Sequence, residues 1–371
     1  MTPETGLEGP VLLDDAYGRI RQVLLTLPGF AVDDIEEPVR SVLAGFPEYV
    51  RFDILTSAEA KGRVAAWVEG RAEAHIHAAP EGLDFTHWAR DALVAVETGA
   101  GPRVLISEKF GRRDDAAAAR ALAEAAGVEV RETHIALDGG NLLAQGGDVL
   151  VGRELFEAGA DSLDAGSARR VIALGTATAR PAETVVDSQI LPTGWRERRR
   201  TGVGKGQVQP LFHIDLFVSP AGKTPEGRPR WLVGCPRLGA RHLGLEMPDH
   251  ADAELFDEVA ANLADTGAEV IRNPQPLIWT DWPDKRLRTW HHFPVNNVIV
   301  EIEAKAQPRV WLPHFACEAW QELARIDAAN RAIWEGLGFG VTPVTGCLAL
   351  AERRGALRCM LNVVARGSAG S

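Results

Sequence analysis

Four side chains with chemical reach stand out in the sequence: Asp91, His213, Asp215 and Cys359. His213 and Asp215 lie two apart in Gln209–Pro220, a run rich in Leu, Ile, Phe and Val. Such a run reads as a buried strand, and residues two apart on a strand leave the same face. An imidazole and a carboxylate would then emerge together from an apolar ribbon. Cysteine is a strong nucleophile once ionised, and histidine gives and takes protons near neutrality. Two carboxylates exceed what a carbonyl needs. They suit a planar cation with several N–H donors, each edge gripped at two points. A guanidinium group fits that description.

The elements that must position these residues repeat. The strand Gly101–Ile106, a helix over Asp114–Ala126 ended by Gly127, and the strand Val128–Arg131 follow the segment Leu83–Asp91 and the apolar run Ala92–Val96. Asp138–Leu143 and Asp148–Gly152 read as a hairpin closed by Gln145-Gly146-Gly147, with the strand Val171–Leu174 after it. The His213 strand opens a third copy with Trp231–Gly234, a helix over Asp252–Asp265, and Glu269–Ile271. Val295–Glu301, Val310–Pro313, a helix over Ala316–Leu337 and Gly340–Val344 make a fourth. A weaker copy spans Tyr49–Thr56, Ser57–Trp67 and Glu73–His77, so about five units fit, a period typical of arrays and propellers. The chain then returns as strands at Gly346–Leu350 and Gly355–Val364, the second placed to close a ring onto the first unit. Residues 1–48, with Leu12-Leu13, Ile20, Val23–Leu25, Val39 and Val42-Leu43 at helical spacing, are expected as a helical cap on a body of residues 49–371. In a ring, the polar marks at the unit starts (Asp91, Asp138 with Asn141, His213 with Asp215) and Cys359 in the closing strand would meet at the axis.

With 40 Lys and Arg against 51 Asp and Glu, the net charge of the 371 residues is -11, which disfavours nucleic-acid binding and suits a cationic small molecule. Cys235, Cys317, Cys347 and Cys359 lack zinc spacing, and neither His75/His77 nor His291/His292 has neighbours that complete a metal set. No cofactor loop is present, since Gly202, Gly204 and Gly206 lack the Lys-Ser/Thr ending of a nucleotide loop. No signal peptide and no membrane span are read, so a cytoplasmic protein with reduced thiols is expected. Each candidate also has a plainer use. Cys359 suits a buried small apolar site, Asp91 a cap, and Gly139-Gly140-Asn141 a hairpin turn.

Taken in order, these elements resemble the guanidino-group-modifying superfamily. Its pentein fold is an α/β propeller, five ββαβ units in a pseudo-fivefold ring around a central active site. It includes arginine, agmatine and peptidylarginine deiminases, dimethylargininases and amidinotransferases. Trp88-Ala89-Arg90-Asp91 resembles the W-x-R-D segment of agmatine deiminases, and Asp138-Gly139-Gly140-Asn141 the [D/E]-G-G-[N/D] turn. His213-Ile214-Asp215 matches H-x-D, Arg358-Cys359-Met360 resembles the R-C-M of arginine deiminases, and Asn296-Asn297-Val298 resembles a strand start common in the fold. The likeness runs over about residues 50–365.

The resemblance implies hydrolysis of a guanidino substrate through an amidino-Cys359 intermediate. Asp91 and Asp215 would hold the N–H edges and His213 would serve as acid and base. Trp88, Arg90, Asp138, Asn141 and Arg358 would contact substrate, with no cofactor and no metal. The partner implied is a small guanidino molecule; the sequence is also compatible with a homo-oligomer. This chain departs from agmatine and peptidylarginine deiminases in having Arg358 where they typically carry His, and Arg354-Gly355-Ala356-Leu357 replaces a glycine pair. The large helical insertion of bacterial arginine deiminases has no evident place. The choice among arginine, its derivatives, agmatine and peptidyl arginine stays open. So do an amidinotransferase, in which an amine replaces water, and a non-catalytic binding ring. The stretch Pro192–Gln209, with Arg196, Arg198, Arg199, Arg200 and Lys205 spaced by glycines, is expected as a mobile loop at the pocket rim that selects the substrate's far end.

Overall fold

Apolar residues three and four apart give the helices one buried face each. Val32, Ile35, Val39, Val42 and Leu43 line the inner side of helix Val32–Gly45, as Phe256, Val259, Ala260 and Leu263 do for Ala253–Asp265. Some strands are buried on both faces. All five residues of Asp148–Gly152 are buried, as expected of a central strand that loses its polar alternation. The computed structural model describes residues 10–97, 101–107, 113–177, 183–191, 194–200, 208–248 and 251–367.

One pairing pattern occurs five times among the described residues. A first strand runs antiparallel to a second, a helix follows, and a third strand pairs parallel to the second. The first set is Val94–Glu97, Arg103–Ser107 and Glu129–Thr133, with helix Arg113–Ala125 between the last two. Next come Leu142–Gln145, Asp148–Gly152 and Arg170–Leu174. Then Val218–Lys223, Pro229–Cys235 and Glu269–Pro274, and Ile299–Glu301, Arg309–Pro313 and Gly340–Val344 with helix Ala324–Gly336. The remaining set joins the two ends of the chain. Leu361–Arg366 pairs antiparallel with Ile20–Leu27 (Leu25 opposite Leu361), and Ile20–Leu27 pairs parallel with Arg51–Thr56. The late strand thus closes on Ile20–Leu27, ahead of the unit expected over Tyr49–His77, and joins that unit's strand Arg51–Thr56 through it. Packing ties the sets together: buried Trp311 stacks on Phe46 with ring centroids 4.1 Å apart and donates its indole N–H to the Gly45 carbonyl at 2.9 Å. Burying such an aromatic side chain stabilises by about 2–3 kcal/mol.

Several local expectations are corrected. Ile20–Leu27 is a strand, not a helix. Seven of its eight residues are buried, and a strand covered on both faces reads as a continuous apolar run without periodicity. Only Val32–Gly45 of that region is helical as expected. Leu348–Ala351 is a helical turn rather than a strand, and the helix expected over Ala316–Leu337 begins only at Ala324. His213 is extended, but Ile214–Leu216 forms a 3-10 turn, closed by Phe217 N–H donating to the Ile214 carbonyl at 3.2 Å; the strand begins at Val218. Ile214, Leu216 and Phe217 are buried on every side, so the apolar run does not separate turn from strand. Cys359 likewise sits on a helical turn, Leu357–Met360, just ahead of the strand.

A further sheet, ordered Glu183–Ile190, Arg196–Arg200, Leu287–His292 and Leu277–Trp282, is built from segments between the repeating sets. The arginine-rich stretch expected as a loop is thus a strand over Arg196–Arg200, where Glu197 accepts the indole N–H of Trp290 at 2.5 Å. Residues 192, 193 and 201–207 of that stretch lie outside the described residues. Among the described residues no helix is long and apolar enough to cross a membrane.

Candidate active site

Each first strand of the five sets is preceded by a short polar turn. Asp91 lies on Ala89–Ala92 before Val94–Glu97, and Gly139–Asn141 precedes Leu142–Gln145. His213 and the Ile214–Leu216 turn precede Val218–Lys223, Asn296-Asn297 precede Ile299–Glu301, and Leu357–Met360 precedes Leu361–Arg366. Side-chain amides stitch these turns to one another. Asn141 donates to the Phe212 carbonyl at 3.1 Å and accepts from the Ile214 N–H at 3.2 Å. Asn297 donates to the Asp215 carbonyl at 3.4 Å and accepts the Cys359 N–H at 3.0 Å. Asn362 donates to the Leu93 carbonyl at 2.8 Å, and Arg90 Nε donates to the Gly139 carbonyl at 3.3 Å, so the series returns to its starting turn.

Two glycines let the turns approach. A Cβ on Gly139 would lie 2.1 Å from the Arg90 carbonyl oxygen, and one on Gly140 2.3 Å from His213 Nδ1. The glycine pair is a packing requirement as well as a turn.

The result is a cleft of about 230 Å³ with Asp91, His213 and Cys359 at its floor and Trp88, Phe212 and Arg354 among its walls. One donor atom from each of the three floor residues lies within 4.8 Å of the other two, and all three residues are buried. Asp138 Oδ2 is 2.6 Å from His213 Nε2. Burial alone would lower the imidazole, but Asp138, with Asp91 and Asp215 behind it, pushes it up to about 9. His213 is therefore held as an imidazolium at neutral pH. Burial, then Asp215 and Asp91, push the Cys359 thiol well above its ordinary value. The resting site pairs a ready acid with an un-ionised nucleophile.

Asp215 is placed differently from the other three. It is fully buried behind the cleft, with Oδ2 2.7 Å from Arg358 Nη1. Burial raises its carboxyl, and Arg358 opposes that rise. Its Oδ1 has no hydrogen-bond partner among the described residues. Arg358 and Arg90 are not brought to the cleft. Arg358 Nη2 reaches Asp15 Oδ1 at 2.9 Å, and Arg90 Nη2 reaches the same oxygen at 3.3 Å. Burial, with Arg358 close by, pushes Arg90 down to about 10 against the pull of Asp15 and Asp215. Asn141 holds the His213 segment rather than lining the cleft, whereas Trp88 lines it and Asp138 sits beside it on His213.

Compared with solved structures, the chain is similar to the agmatine deiminase of Enterococcus faecalis (12% identity, 99% of each chain covered, TM-score 0.64). It is also similar to an agmatine deiminase of C. jejuni with substrate bound (10%, 97% of each chain, 0.63). A third is a Porphyromonas gingivalis protein assigned as an arginine deiminase (15%, 95% of this chain and 97% of that one, 0.62). The chain shares the fold of these deiminases. At these identities the likeness shows a common mixed α/β fold. No protein-family model matches the sequence, and no curated protein matches it.

Sequence reasoning missed Asp15, the amide bridge of Asn297 to Cys359, and Arg354 on the cleft wall. Asn297 had a signal in the Asn-Asn doublet at a strand start. Asp15 had none, because its partner Arg358 is 343 residues away.

Proposed function

We propose that the protein is a deiminase of a guanidino compound that works through a covalent amidino-Cys359. Its five sets of strands would form a ring around the cleft, a reading supported by the amide series that closes on itself. The observation that carries the function is the convergence of Asp91, His213 and Cys359 within 4.8 Å, with Asp138 2.6 Å from the imidazole.

A guanidinium entering the cleft would meet Asp91, with Asp215, whose Oδ1 is unsatisfied among the described residues, as the second carboxylate behind the floor. The cation offsets the carboxylates that keep the thiol protonated, so Cys359 gives its proton to water. The thiolate adds to the guanidinium carbon. His213 protonates one nitrogen, the C–N bond breaks, and ammonia leaves an amidino group on sulfur. Neutral His213 then takes a proton from water as it attacks the same carbon. The C–S bond breaks and releases a ureido product. Overall, one water is consumed and one ammonium formed.

The wall favours a substrate whose far end is anionic. Arg354 lines the cleft with φ 68, a left-handed backbone that favours glycine. A long cationic side chain held there has a use that glycine would not serve. The test is a panel of guanidines, carboxylated and not, assayed for ureido product and ammonia in parallel. Equal amounts of the two from one panel member are expected. Transfer to an added amine without ammonia would instead make the protein an amidinotransferase, and an inert panel would refute the reading.

A further inference from the structure

We propose that Asp15 is a positioning residue of the site: by sharing Arg358 with Asp215, it keeps one oxygen of Asp215 available to the substrate's cation. The proposal rests on the guanidino reading above. An arginine's planar fork ordinarily closes on both oxygens of one carboxylate. Here the fork is split. Arg358 gives Nη1 to Asp215 Oδ2 at 2.7 Å, and gives Nη2 at 2.9 Å and Nε at 3.3 Å to Asp15 Oδ1. Its remaining donors meet the Leu142 carbonyl at 2.7 Å and the Gly139 carbonyl at 3.4 Å. Asp15 is itself fixed, since its Oδ2 accepts the Ala144 N–H at 2.8 Å from the strand Leu142–Gln145. That contact turns Oδ1 toward Arg358 and Arg90.

The charges around the fork bear on the same assignment: carboxylates Asp15, Asp91, Asp138 and Asp215 sit among cations Arg90, Arg358 and protonated His213, with Arg353 and Arg354 on the cleft wall. Around Cys359 the charged groups are Asp91 and Arg90 on the Ala89–Ala92 turn, His213 and Asp215 at the Ile214–Leu216 turn, Arg358 beside it, and Arg353 and Arg354 before it. Without the Asp15 charge, Arg358 closes on Asp215 and cancels it. The thiolate then becomes easier to form and the cation harder to hold. These two effects have opposite signs, whereas a purely structural defect would degrade both.

The test is the pH profile of Cys359 alkylation by iodoacetamide, in which the thiolate displaces iodide, with methylguanidinium as a protecting cation. In Asp15→Asn the alkylation midpoint is expected to fall by about one pH unit, roughly tenfold more thiolate at a fixed lower pH. Protection by methylguanidinium should weaken about tenfold in the same variant. Asp15→Glu, which keeps the charge, stays near the parent. If Asp15→Asn does not fold, Arg90→Gln frees Asp15 to draw Arg358 off Asp215 and moves the midpoint upward. A midpoint that stays put in the folded variant, or an equal shift in Asp15→Glu, overturns the proposal. A parent protein inert on every guanidine, yet showing the expected shift, would overturn the deiminase reading and leave the charge relation standing.

Discussion

Asp138 Oδ2 stands 2.6 Å from His213 Nε2, across 75 residues of chain, and this contact sets the protonation of the cleft. His213 is raised to about 9 from an ordinary 6.5. A raised imidazole stabilises the fold fully below pH 6.5, where the unfolded chain also binds the proton, and that contribution is lost as pH rises through about 9. The melting difference between the parent and Asp138→Asn should therefore be largest below pH 6.5, on the order of 1–3 kcal/mol, and close above pH 9. A difference that grows with pH would mean that His213 is neutral in the folded protein.

Gly140 tests how tightly the imidazole is placed. A Cβ there would sit 2.3 Å from His213 Nδ1, so Gly140→Ala must push the ring away. A displacement of about 1 Å costs on the order of a hundredfold in turnover, so kcat should fall that far while KM changes little. Gly147→Ala, where no atom lies within 4 Å of the added methyl, is the control and should behave as the parent. Full activity in Gly140→Ala would remove His213 from the chemistry.

The α/β class and most unit boundaries were legible because strands such as Arg309–Pro313 and helices such as Ala253–Asp265 carry clear patterns and glycine stops. Asp91, His213 and Cys359 were legible as candidates because each sits in a turn just ahead of the first strand of its unit. The strand Ile20–Leu27 was not, since burial on both faces erases alternation. The Asp215–Arg358–Asp15 link joins residues from both ends of the chain, and no local spacing records it. The strand over Arg196–Arg200 was hidden by its charge: Glu197 is buried and accepts the indole N–H of Trp290 from another strand.

Arg354 tests substrate choice. If its charge meets an anionic tail, Arg354→Ala should lower kcat/KM on arginine relative to agmatine by about tenfold, or about 1.4 kcal/mol. The absolute rate on agmatine should hold or rise. An unchanged ratio would leave the cleft wall without a part in selection.

The central claim is that Cys359 is a nucleophile poised beside a cation site. The most direct measurement compares 2-chloroacetamidine, a cationic alkylator, with neutral 2-chloroacetamide under the same conditions, followed by peptide mass mapping. Cys359 is buried at the cleft floor, while Cys235 and Cys347 are buried elsewhere and Cys317 is partly exposed. The account predicts one adduct, on Cys359, formed faster with the cationic reagent, with that preference lost in Asp91→Asn. Labelling led by Cys317, or equal rates for the two reagents at Cys359, would contradict it.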